Sequence, residues 1–191
     1  GTIVWKARQL LAAGEIDEDE FINLVVNTTT SPGYCNTMGT ATTMNSLTEG
    51  LGMSLPGCAS IPATLSERAE MAYLTGLRIV EMVKEDQTPT RIMTRESFEN
   101  AVVLNSALGG STNAPIHINA IARHVGVELR IEDWQKIGFE IPLLVNMQPS
   151  GKYLGEDFYR AGGVPAVMNS LLAAGKLNDT AITANGKTIA E

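Results

Sequence analysis

"IPLLVNMQPSG", residues 141–151, decides the fold class. Four of its first five residues are apolar, and Pro149, Ser150 and Gly151 end the run. A short apolar run bounded by turn residues fits a strand buried on both faces, as in a parallel sheet. Its surroundings are helical in pattern, so the predicted class is helix-rich α/β: a parallel-type sheet flanked by helices. A further short strand is expected around Ala181–Thr183. So few strands for 191 residues implies that part of the sheet lies elsewhere.

Outward from that strand the helices follow apolar periodicity and caps. "TIVWKARQLLAAG" (2–14) places Ile3, Val4, Ala7, Leu10 and Leu11 at helical spacing, with Gly14 as the stop. "IDEDEFINLVV" (16–26) carries acids in its first turn, where the helix dipole favours them. These acids (17–20) read as a solvated helix start, not a metal site. Helices are also expected from Asn36–Thr40 to Gly50 or Gly52, and from Thr94 to Gly109-Gly110. Another begins at Ser111 or Thr112 with Pro115 in its first turn. "IEDWQKIG" (131–138) is a short helix, and "EDFYRAGGVPAVMNSLLAAG" (156–175) supplies two more. A long helix runs from a capping-box pair, Thr64 and Glu67, to Pro89. Ala69, Ala72, Tyr73, Leu77, Val80 and Met82 or Val83 form its broad apolar face. There is no repeat, low-complexity tract or linker, and residues 1–191 read as one partial domain.

Composition narrows the function. A net charge of −7 without clustered Lys and Arg argues against a nucleic-acid footprint. No apolar run reaches the roughly 18 residues a membrane helix requires. Residues 1–10 lack a signal-peptide pattern. Two widely spaced cysteines point to a reducing, cytoplasmic setting. The chain opens on Gly1, not Met, which suggests a piece of something longer.

Cys35 is the residue with most chemical potential. A buried thiol is the ordinary role of a free cysteine. Here, however, the thiol follows the Pro32-Gly33 turn and precedes a helix start, where N–H groups and the dipole favour a thiolate. No second cysteine stands at CxxC spacing, so a complete metal site is not expected. Cys58, in "LPGCASIP" (55–62), is assigned to packing. His117 and His124 lie seven apart, too far for the usual i, i+4 metal pair. His124 reads as structural, and His117 remains open. "GGSTNAP" (109–115) could receive a carboxylate or phosphate, although glycine pairs usually serve as C-caps. A thiol hydrolase pairing Cys35 with His117 would lack an orienting acid.

Three stretches extend beyond local chemistry: "CNTMGTATTMNSLTEGLGMSLPGCASIPA" (35–63), "LNSALGGSTNAPIHINAIARHVGV" (104–127) and "EIPLLVNMQPSGKYLGEDFYRAGGVPAVM" (140–168). In this order they resemble the dihydroxy-acid and sugar-acid dehydratase family. "CNTMGTA" is similar to the aldonic-acid branch; the branched-chain enzymes carry a Cys-Gly-Gly-Met type sequence there. The resemblance implies a hydro-lyase that converts a 2,3-dihydroxy carboxylate to a 2-keto-3-deoxy acid. Its cofactors would be an iron–sulfur cluster, commonly [2Fe–2S], held by three cysteines, and a magnesium ion. Cys35 matches the third cluster cysteine, and Asn36 and Thr37 would line the substrate site. The other two cysteines, the modified lysine and most magnesium carboxylates would precede residue 1. The serine base and a further magnesium ligand would belong to a C-terminal domain absent after Glu191. Both cofactor sites would thus be incomplete in this inner part of an N-terminal domain, and the chain alone would be inactive. The whole enzyme is expected to be a homo-oligomer acting on a small sugar acid, with no nucleic-acid or membrane partner. The alternatives are a fragment of a branched-chain dihydroxy-acid dehydratase and a non-catalytic scaffold of the same fold.

Overall fold

The computed structural model describes residues 2–28 and 35–191. The chain falls into two compact units, Gly1–Tyr34 and Cys35–Glu191. In the first, α1 (Thr2–Ala12) and α2 (Glu18–Asn27) pack on each other. Asp17 caps α2, its Oδ1 accepting the Glu20 N–H at 2.8 Å, and Glu18, Asp19 and Glu20 follow in the first turn. The acids are therefore a helix start, as their position predicted.

The second unit carries α3 (Thr40–Gly50), α4 (Ser66–Lys84), α5 (Pro89–Ile92), α6 (Arg95–Leu108), α7 (Ala114–His124), α8 (Ile131–Gly138), α9 (Gly155–Arg160) and α10 (Gly163–Ala173). Its centre is α6, against which α3, α7, α8 and α10 all pack. The sequence explains why α6 forms. Thr94 caps it by accepting the Ser97 N–H, and Gly109, in the left-handed conformation, ends it. Phe98, Ala101, Val102, Leu104, Ala107 and Leu108 are all fully buried along it. Two polar residues, Ser97 and Asn100, share that burial. Asn100 donates from Nδ2 to the Asn178 carbonyl at 3.0 Å and accepts the Asn178 N–H at 2.7 Å. This reciprocal pair satisfies the amide and ties the C-terminal segment to the central helix.

The helix-rich character holds, but the parallel sheet does not appear among the described residues. The pairings outside named strands are two isolated bridges, Met147 with Tyr153 (parallel) and Ile182 with Thr188 (antiparallel). Residues 141–147 run beside helices instead of a second strand. The N–H groups of Leu144 and Val145 both donate to the Ala107 carbonyl, at 2.8 and 3.3 Å. Leu143 and Leu144 stay 54% and 45% exposed. An apolar run specifies an extended segment, but a ladder needs a neighbour.

Two helix starts also differ from expectation. Leu65, not Thr64, is the N-cap of α4, so Glu67 falls in the first turn and bonds the Ser66 hydroxyl. The long helix ends at Lys84, and Pro89 instead opens α5. The apolar face of α4 is real in pattern but uncovered: no residue of the helix is buried. Arg78 ties α4 down, donating to the Ala184 carbonyl at 2.5 Å, to the Glu85 carboxylate and to Gln87. At about 100° per residue, Ala69, Gly76, Val80 and Val83 lie across the helix from Arg78 and the half-buried Met71 and Met82. Amphipathic spacing says that a face is to be covered, not by what.

Candidate functional site

Cys35–Met38 belong to neither helix nor strand and lead directly into α3. The Cys35 thiol is exposed. Its Sγ lies 3.5 Å from the Thr37 Oγ1 and 3.7 Å from the Thr37 carbonyl. The Thr37 side chain first, then its backbone, hold the thiol pKa below the ordinary value, against the opposing effect of burial. The thiolate is the form that attacks electrophiles and binds metals, so the thiol is poised as a place before a helix start leads one to expect, while the Pro32-Gly33 turn lies outside the described residues. The main source of the poise is Thr37, two residues away, rather than the dipole alone.

The loop backbone is held from three sides. Thr42 Oγ1 donates to the Cys35 carbonyl at 3.2 Å. The Gly155 N–H donates to the Asn36 carbonyl at 2.9 Å, and the Met38 N–H donates to the Gln148 carbonyl at 2.7 Å. Asn36 and Thr37 are half-buried beside the thiol, and Met38 is buried in the core. The three residues named from the sequence are therefore contiguous and fixed. Thr42, Gln148 and Gly155 had not been singled out. Nothing local to "QPSGKYLGED" (148–157) signals that it bonds residues 36 and 38.

The second corner, "GGSTNAP", meets the start of α3. The Ser111 N–H donates to Thr43 Oγ1 at 3.0 Å, and Thr40 Oγ1 stands 3.1 Å from Ser111 Oγ. Asn113 Nδ2 donates to Thr40 Oγ1 at 2.8 Å. Two helix N-termini, those of α3 and α7, are thus joined through hydroxyls. The N-cap of α7 is Asn113, not Ser111 or Thr112, and Ser111 Oγ instead accepts the Asn113 N–H at 3.1 Å.

The remaining candidates stay apart from this corner. Cys58 is half-buried, with Arg68 Nη1 at 3.6 Å from its sulfur, in keeping with loop packing. His117 and His124 are both exposed on α7. Among the described residues no group of three His, Cys, Asp or Glu side chains could hold a metal ion. Cys35 fits an iron–sulfur cluster as a single thiolate donor, and no donor set for magnesium is brought together among the described residues.

Two matched helix starts, a poised thiol and a pinned loop fall within the three quoted motifs, and those motifs have a home. The chain belongs to the dihydroxy-acid/6-phosphogluconate dehydratase N-terminal family, whose model matches residues 2–191. It is 55% identical to the D-xylonate dehydratase of Caulobacter vibrioides over 191 residues, 100% of this chain and 32% of that protein. It is 50% identical to the L-arabinonate dehydratase of Rhizobium leguminosarum bv. trifolii over 189 residues, 99% of this chain and 33% of that protein. It is 45% identical to the dihydroxy-acid dehydratase of Caldanaerobacter subterraneus subsp. tengcongensis over 188 residues, 98% of this chain and 34% of that protein. The chain therefore spans about a third of the length of these curated relatives.

Proposed function

We propose that this chain is part of the N-terminal domain of a hydro-lyase that dehydrates a sugar acid to a 2-keto-3-deoxy acid. The observation that carries this is the Cys35 corner: an exposed thiol, poised by Thr37, on a loop pinned at Cys35, Asn36 and Met38. The higher identity to relatives named for xylonate and arabinonate supports the sugar-acid branch over the branched-chain one.

The reaction removes the C3 hydroxyl and the C2 proton of the substrate as water, and the enol becomes the ketone. Cys35 acts as one thiolate ligand of a [2Fe–2S] cluster, whose iron, when bound, supplies a Lewis acid for the departing hydroxyl. Asn36 and Thr37 stand beside that thiol and contact the substrate. No step is assigned to magnesium, whose ligands we place in other parts of the polypeptide. One donor cannot assemble this chemistry, because the reacting groups must be held together. The 191-residue chain alone is thus expected to be inactive.

In this reading the run 141–147 joins a parallel-type sheet completed by other segments. The whole enzyme is a cytoplasmic homo-oligomer acting on a small molecule. No helix among the described residues is long and apolar enough to cross a membrane.

The test is the whole polypeptide, purified without oxygen, assayed for iron, sulfide and 2-keto acid formation from xylonate, arabinonate and a branched 2,3-dihydroxy acid. Iron together with sugar-acid turnover, both lost in Cys35→Ser, is the expected result. Turnover of the branched acid alone would move the protein to the other branch. A colourless, inactive whole polypeptide would leave the scaffold reading.

A further inference from the structure

Two of the three bonds that hold the Cys35 loop come from one turn, residues 146–155, which lies more than a hundred positions along the chain. That turn has its own scaffold. Asn146 Oδ1 accepts the Lys152 N–H at 2.7 Å, and the Asn146 carbonyl accepts the Tyr153 N–H at 3.0 Å. The Gln148 N–H donates to the Tyr153 carbonyl at 2.9 Å. Gly151 closes the turn with no space to spare: a Cβ there would stand 2.4 Å from both the Asn146 carbonyl carbon and the Met147 nitrogen. Both are backbone atoms that cannot step aside.

We infer that Asn146 and Gly151 are positioning residues for the Cys35 thiol. The hydrogen bonds of Asn146 to Lys152 and Tyr153 stay within the turn. Together Asn146 and Gly151 set the shape of the turn, and the turn sets where the Gln148 carbonyl and the Gly155 N–H stand. Those two groups hold Met38 and Asn36, which flank Thr37, the residue that polarises the thiol. Met38 is buried at the end of the same loop, so a shift at Gln148 is passed along the chain rather than absorbed by solvent. Support for a metal ligand from groups that do not touch the metal is a general design. Here the supporting groups sit on a distant turn and act through main-chain bonds.

The inference rests on the reading of Cys35 as a cluster ligand, and the experiment separates the two. Asn146→Ala, Asn146→Asp and Cys35→Ser are made in the whole polypeptide. Near-ultraviolet circular dichroism confirms the fold, and the readouts are the electron paramagnetic resonance spectrum of the reduced cluster and the rate of iron loss to a chelator. Asn146→Asp keeps an acceptor for the Lys152 N–H and is expected to match the parent. Asn146→Ala is expected to shift the spectrum and to lose iron on the order of 10-fold faster, the low end of what outer-shell partners contribute. Gly151→Ala is expected to act in the same direction. Asn146 is exposed, so its alanine variant is the one that separates positioning from folding. A folded Asn146→Ala protein with unchanged spectrum and iron loss overturns the inference while Cys35→Ser still abolishes the cluster. A Cys35→Ser protein with an intact cluster overturns both.

Discussion

The carboxylate of Glu49, near the end of α3, accepts the backbone N–H of Ala59 at 3.0 Å, ten residues further along the chain. Its other oxygen accepts the Gly57 N–H at 2.5 Å, so one buried acid folds the 50–59 loop back onto its helix. Burial pushes the Glu49 pKa up, against the two N–H donors that pull it down. The folded state therefore binds this proton more tightly than the unfolded chain does. Stability from this group is full at low pH and falls as pH rises from the ordinary carboxylate range through the raised value. Glu49→Gln keeps one acceptor but points an amide N–H₂ at the second donor. Urea unfolding should show the variant less stable by about 1–3 kcal/mol at about pH 5, with the deficit shrinking towards pH 8 because its pH dependence is flatter. Equal slopes in the two proteins would remove Glu49 from the account.

Thr37 should be legible in the reactivity of Cys35. In a Cys58→Ser background, iodoacetamide alkylation of the chain should reach half its limiting rate at a pH below that of an ordinary thiol. Thr37→Val keeps the shape and removes the hydroxyl, and should move that midpoint up. A midpoint unmoved by the substitution would assign the poise to another source.

Gly50 and Leu104 lie where α3 and α6 pack closely. A Cβ on Gly50 would lie 2.6 Å from Leu104 Cδ2, in a fully buried place. Gly50→Ala should cost about 1–3 kcal/mol by overpacking. Leu104→Ala should cost about 2–5 kcal/mol through the cavity left behind. The double variant should lose less than the sum, because each change relieves the fault of the other. Strict additivity in denaturant unfolding would contradict the close approach.

The uncovered arc of α4 predicts self-association of the 191-residue chain. Tyr73 and Val83 are 67% and 75% exposed, so no core packing is lost when such positions become charged. Val80→Glu with Val83→Glu should lower dye binding and sedimentation-detected association, with stability held to within about 0.5 kcal/mol. Unfolding of that variant would mean that the arc is packed in solution.

Most helices could be read from the chain because their signals are local. Thr94 and Gly109 bracket α6, Pro115 and Pro165 sit in first turns, and the acids at 17–20 open α2. The sheet could not be read in the same way, since residues 141–147 carry strand chemistry while pairing depends on what runs alongside. Thr64 and Glu67 had the right spacing for a capping box, but that spacing does not say which residue leaves the helix first. At the site, Cys35 is conspicuous because thiols are rare here and a Pro-Gly pair precedes it in sequence. Thr42 is not, because its bond to the Cys35 carbonyl exists only after the loop has doubled back. Gln148 and Gly155 are remote from residues 36 and 38 in sequence, and no periodicity connects them.

The Asn100–Asn178 pair closes a ring of chain across 78 positions. A polypeptide emerging from the ribosome reaches Asn100 long before its partner exists. Until residue 178 is made, the Asn100 amide lacks both of these partners. This unit therefore matures only once residue 178 has been made, and a nascent chain stopped before that point has its middle helix incompletely satisfied.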